Sequence, residues 1–94
     1  MPYRRKTDTN HQQVVLELRT AGYTVVDMSR VGNGIPDIIL CAGQHCEWVE
    51  IKRSPRAALT EAESAFFAVC PGGEPILGWS APLIIAEFER RRHA

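Results

Sequence analysis

Asp37, Glu50 and Lys52 are the residues whose types and spacing point to chemistry. Glu50-Ile51-Lys52 lies in a run that reads as a β-strand, and strand side chains alternate between faces. Glu50 and Lys52 therefore share one face, with Val49 and Ile51 on the other. Alone the pattern says little, since an acid two residues before a lysine arises by chance in about half of chains this long. A hairpin makes it informative. If the turn before this strand is centred on Gly43-Gln44, Asp37 stands opposite Glu50 and Ile39 opposite Trp48. Opposed residues on one face have Cβ atoms about 4.5–5.5 Å apart. Two carboxylates at that range repel, and a following lysine relieves the repulsion only in part. A hard divalent cation, Mg²⁺ or Mn²⁺, relieves it better, because such ions take one or two carboxylates together with water and substrate phosphate. A cation held by two acids beside an ammonium group suits phosphodiester hydrolysis. The metal activates water and stabilises the leaving oxygen, while the lysine neutralises developing charge or positions the attacking water. A one-residue slip of register would separate the acids.

The elements that must position these residues follow from local patterns. Val14, Val15 and Leu18 recur at helical spacing between about Asn10 and Ala21, with Asp8 or Asn10 to cap the start and Gly22 to stop it. Tyr23 to Met28 is rich in β-branched and aromatic residues and predicts a strand. Gly32, Asn33 and Gly34 tolerate positive φ and predict a loop from Arg30. Pro36 cannot donate to a ladder, so the next strand starts about there and runs through Leu40. The chain returns along Glu47 to Lys52 and breaks at Ser54-Pro55. Thr60 caps a helix that reaches about Cys70 and ends at Pro71-Gly72-Gly73. Pro75 to Trp79 reads as a short strand. Ser80 then caps a last helix carrying Leu83, Ile84 and Phe88, with arginines near its negative end. The order helix, three strands, helix, strand, helix predicts an α/β domain with a small mixed sheet flanked by helices.

Gly34-Ile35-Pro36-Asp37 followed by Glu50-Ile51-Lys52 resembles the PD-(D/E)xK nuclease signature. The chain resembles the small stand-alone VRR-NUC domains of that superfamily along nearly its whole length, including Val31-Gly32-Asn33-Gly34, the basic loop after Lys52, and Leu59-Thr60 opening the next helix. The resemblance implies a restriction-endonuclease-like core and a divalent-metal-dependent DNA endonuclease. It also implies a homodimer that acts on branched DNA such as four-way (Holliday) junctions. Asp37 and Glu50 would be the metal ligands, the backbone carbonyl of Ile51 would complete the shell, and Lys52 would be the catalytic lysine. Relatives carry a glutamate near the start of the first helix. Here that place holds His11, with Gln12 beside it and Glu17 further along, so His11 is either a metal or phosphate ligand or a surface histidine. Where relatives often carry glutamine after the lysine, this chain has Glu63, which either adds a carboxylate to the site or faces solvent.

The 94 residues make one domain, and the 45% apolar content excludes a disordered or fibrous chain. No apolar run approaches the ~20 residues of a membrane span, and the basic start lacks the apolar stretch of a secretory signal. With an odd count of three cysteines, the chain is expected in the cytoplasm. Cys41 and Cys46 fall opposite each other in the assumed register, beside His45. They read as small buried thiols rather than a zinc site. Net charge is zero, yet basic residues gather at Arg4-Arg5-Lys6, on a flexible arm over residues 1–8, at Lys52-Arg53 with Arg56, and at Arg90-Arg91-Arg92. Arg30, Arg53, Arg56, Arg4, Arg5 and Lys6 are candidate phosphate contacts on DNA. Trp48 is expected to pack under the site, Trp79 to lie in the core or a dimer contact, and Tyr3 to fray with the terminus. The rival class is a non-catalytic DNA-binding or assembly module on the same fold. Hydrolysis of a small phosphate ester is weaker, because no glycine-rich phosphate loop opens a helix.

Overall fold

The computed structural model describes residues 10–70 and 73–94. The expected basic arm, with Arg4, Arg5, Lys6 and Tyr3, lies outside them, as do Asp8, Pro71 and Gly72. Three helices and four strands follow in the expected order: α1 (His11–Thr20), β1 (Thr24–Asp27), β2 (Ile38–Ala42), β3 (His45–Ile51), α2 (Glu61–Val69), β4 (Ile76–Gly78) and α3 (Ala81–Arg92). The sheet runs β1-β2-β3-β4. β1/β2 and β2/β3 are antiparallel, and β3/β4 is parallel because α2 carries the chain back across the sheet. No helix among the described residues is long and apolar enough to cross a membrane.

One face of the sheet forms the core. Ile38, Leu40, Val49, Ile51 and Ile76 point towards α1 and α3, which contribute Val14, Val15, Leu18, Ile84 and Phe88. Phe88 anchors the far end, its ring edge-on to Tyr23 at 5.5 Å and His45 at 5.2 Å. Gly78 is required where β4 meets α3, since a Cβ there would come within 2.5 Å of Ile84 Cγ1. The other face carries Asp37, Trp48, Glu50 and Lys52, and α2 lies over it through Phe66, edge-on to Trp48 at 5.6 Å. A side chain at Gly34, which has φ +83°, would collide with the backbone of Ala62, so glycine lets the loop before Asp37 touch the first turn of α2.

The caps differ from expectation in one instance. Thr60 starts α2 with a reciprocal capping box, and Ser80 accepts from the Leu83 amide at 3.4 Å. Asn10 stands at the start of α1 but makes no side-chain cap. Its amide instead donates to the carbonyls of Lys52 at 2.9 Å and Trp79 at 3.3 Å, fastening α1 to the ends of β3 and β4.

Candidate active site

The hairpin register is the expected one. Ile38 pairs with Val49 and Ile39 with Trp48, so the next position outward sets Asp37 against Glu50. The Ile51 amide donates to Asp37 Oδ2 at 2.8 Å, which holds this carboxylate against β3. Asp37, Glu50 and Lys52 are each buried, at 8%, 2% and 8% exposure. Lys52 Nζ lies 3.4 Å from Glu50 Oε2. Alternation along β3 thus delivers both side chains to one face while Val49 and Ile51 enter the core.

Glu63 completes the group. It is buried, and its Oε1 accepts from Lys52 Nζ at 2.7 Å and from the Thr60 amide at 2.9 Å. The solvent-facing alternative for this residue is therefore overturned. The signal was in the sequence: in Thr60-x-x-Glu63 a capping box folds the glutamate side chain back towards the helix start, and here that start sits over Lys52.

Two carboxylates, Glu50 and Glu63, contact the Lys52 ammonium in a buried place, with Asp37 across the hairpin from Glu50, and their protonation responds accordingly. Burial, then the Asp37 charge, pushes the Glu50 carboxyl up to about 8. Burial works in the same direction on Glu63, but the Lys52 hydrogen bond and the Thr60 amide outweigh it and hold its pKa below the usual range. Burial disfavours the Lys52 ammonium, yet the Glu63 hydrogen bond and the Glu50 charge prevail and raise its pKa. Glu50 Oε1 is buried with no hydrogen-bond partner among the described residues. Such an acceptor is costly unless something else occupies its lone pairs.

The remaining candidates are distributed as follows. His11 is buried at 3% exposure rather than on the surface, and its Nε2 meets Asp27 Oδ2 at 3.2 Å. Asp27 pairs with Ile38, so its side chain belongs to the face opposite Asp37. His11 is thus engaged there and is not brought against the Asp37–Glu50 pair. Asp27 also accepts from the Ser29 amide at 2.9 Å, a local contact the sequence did not disclose. Glu17 is exposed and accepts from Gln13 at 2.7 Å. Arg30, Arg53 and Arg56 are exposed in the loops before β2 and after β3, and no guanidinium of the three meets an acceptor among the described residues. Arg90, Arg91 and Arg92, in contrast, are bound to Glu87, Glu47 and Glu89.

Two aromatic and sulfur expectations need correction. Trp79 is 38% exposed and therefore not core. Cys41 and Cys46 do face each other, with Cα atoms 4.1 Å apart, but as a disulfide rather than as thiols. Their sulfurs are thereby withdrawn from any zinc site, and Cys70 is the cysteine outside the disulfide. No family model, curated protein or solved structure matches the chain.

Proposed function

We propose that the protein is a metal-dependent DNA endonuclease with a restriction-endonuclease-like core. One observation carries the reading: a buried Glu50 oxygen without a hydrogen-bond partner among the described residues, beside Asp37 across the hairpin and with Lys52 next to it on the same face. The donor set fits a hard cation, since oxygen ligands of this kind are what Mg²⁺ and Mn²⁺ select. Asp37, Glu50 and the Ile51 carbonyl would hold it, the last on the resemblance. When bound, such a cation neutralises charge that develops on a phosphodiester in transfer. The residues of the chain account for the rest. Asp37 is fixed by the Ile51 amide and does not need to reorganise. Lys52, kept cationic by its two carboxylate neighbours, offers N–H donors to the phosphate oxygens or to a water aligned for in-line attack. Arg30, Arg53 and Arg56, whose guanidinium groups meet no acceptor among the described residues, supply positive charge on the flanking loops for the nucleic-acid backbone. Homodimer formation and preference for branched DNA rest on the resemblance alone.

The test is cleavage of a labelled four-way junction and a linear duplex, with EDTA and with added Mg²⁺ or Mn²⁺, by wild type, Asp37→Asn and Lys52→Ala. Metal-dependent cutting by wild type only, with all three proteins folded and binding DNA, is the expected result. Binding without cutting by the wild type would favour the non-catalytic module instead. Equal cutting by all three would indicate a contaminating nuclease.

A further inference from the structure

One oxygen of Glu63 stands at two junctions. Oε1 accepts from the Thr60 amide at 2.9 Å, while the Glu63 amide donates to Thr60 Oγ1 at 3.1 Å, and this reciprocal pair starts α2. The same Oε1 accepts from Lys52 Nζ at 2.7 Å. The lysine's other carboxylate neighbour, Glu50, is at 3.4 Å, a long contact for a charge-assisted bond. A lysine side chain has four rotatable bonds and many rotamers to lose, so the shorter contact is the one that fixes where the ammonium points. Because that contact comes from the first turn of α2, the lysine is aimed only when α2 is seated on the sheet.

We propose that Glu63 is the positioning residue for Lys52, holding the ammonium towards the Asp37–Glu50 pair with the oxygen that also caps α2. Glu63 then acts through the lysine. This inference rests on the endonuclease reading for its effect on rate, but the contact itself can be tested separately.

Three variants divide the two duties of Glu63. Thr60→Ala removes the Oγ1 half of the cap and leaves the carboxylate on Lys52. Glu63→Ala removes both, and Glu63→Gln retains an acceptor oxygen for each. The expected result is that Thr60→Ala and Glu63→Ala both melt earlier than wild type. Only Glu63→Ala should lose turnover, by about 100-fold with KM for DNA little changed, as expected when an oriented group is set loose. Glu63→Gln should recover most of that loss. Equal loss of turnover in Thr60→Ala and Glu63→Ala, or none in Glu63→Ala, overturns the proposal. If Glu63→Ala does not fold, Glu63→Gln decides, and loss of cutting by that folded variant overturns it. A second readout needs no cleavage: the rate at which an N-hydroxysuccinimide ester acylates Lys52, followed by mass spectrometry. Faster labelling in Glu63→Ala than in Thr60→Ala supports the positioning role, and equal rates overturn it. Absence of any metal-dependent cutting by wild type would defeat the endonuclease reading, with the labelling still deciding on Glu63.

Discussion

Two clusters of acids and bases sit at opposite ends of β3, and they obey different rules. Near the C-terminus of α3, Glu47, Glu87 and Glu89 face Arg90, Arg91 and Arg92 across a surface, one guanidinium for each carboxylate. Arg90, then Arg91, pulls the Glu87 carboxyl down to about 2. At the other end, Glu50 and Glu63 flank the Lys52 ammonium in a buried place with Asp37 across the hairpin from Glu50, and Glu50 is driven up to about 8. Glu87 and Glu50 are displaced in opposite directions because guanidinium hydrogen bonds dominate at the partly exposed Glu87, whereas burial dominates at Glu50. Charge matching is what selection for stability alone produces. Burying a carboxylate opposes stability, and under the proposed endonuclease reading a cation at the Asp37–Glu50 pair would offset that cost.

The largest expected consequence is kinetic. Lys52→Ala and Asp37→Asn should each reduce cleavage by a factor of roughly 10² to 10⁴, the usual effect of deleting a group that stabilises transition-state charge. Arg91→Ala, in the matched cluster, should leave the rate unaltered. A gel assay on one labelled junction compares all three. A large loss with Arg91→Ala would erase the distinction between the clusters.

Next in size is the pH dependence of the metal-free protein. Folding raises the Glu50 pKa from an ordinary 4.5 to about 8, so the folded chain holds this proton more tightly than the unfolded chain. Its contribution is therefore complete below pH 4.5 and disappears as pH rises to about 8. Glu50→Gln is neutral throughout and should flatten that decline in urea melts at pH 5 and pH 9. Added Mg²⁺ should stabilise wild type at pH 9 and leave Glu50→Gln unmoved. A Glu50→Gln protein that still responds to Mg²⁺ would place the cation elsewhere.

The arginines extend the contrast to binding. The guanidinium groups of Arg53 and Arg56 have no acceptor among the described residues, whereas Arg90 presents both Nε and Nη2 to Glu87 at 2.9 and 2.6 Å. Arg53→Ala should weaken binding evenly across DNA sequences and lower the slope of log K against log salt by about 1. Arg90→Ala should change neither quantity. Titration of a fluorescent duplex over several salt concentrations reads both.

What could be read beforehand divides along physical lines. The hairpin was legible because Gly43-Gln44 fixes a turn and the alternation of apolar residues fixes a face, so the opposition of Asp37 and Glu50 followed. Thr60, Ser80 and Gly22 marked helix ends through local chemistry, and the structure keeps all three roles. Contacts across the sheet were not legible. Nothing local tells that Asn10 will forgo capping for the Lys52 carbonyl, or that His11 will be buried against Asp27. Both depend on how α1 settles on strands far along the chain. The Cys41–Cys46 bond was half legible: the register brought the two together, but whether paired sulfurs are joined depends on redox conditions that residue spacing does not encode.

The smallest effect belongs to the matched cluster itself, and it has the opposite sign with pH. Glu87 is depressed by folding, so its contribution is present above its ordinary 4.5 and disappears as pH falls towards about 2. The group lies at the surface, where water and salt screen most of the attraction. Glu87→Gln should therefore shift the thermal midpoint less than any change described above, and 1 M salt should abolish the difference. Arg91 has a second carboxylate in Glu47 at 2.9 Å and should keep its place without Glu87. If scanning calorimetry instead found Glu87→Gln as disruptive as a change at Glu50, exposure would not be what separates the two clusters. Burial would then no longer explain why Glu50 and Glu87 are displaced in opposite directions.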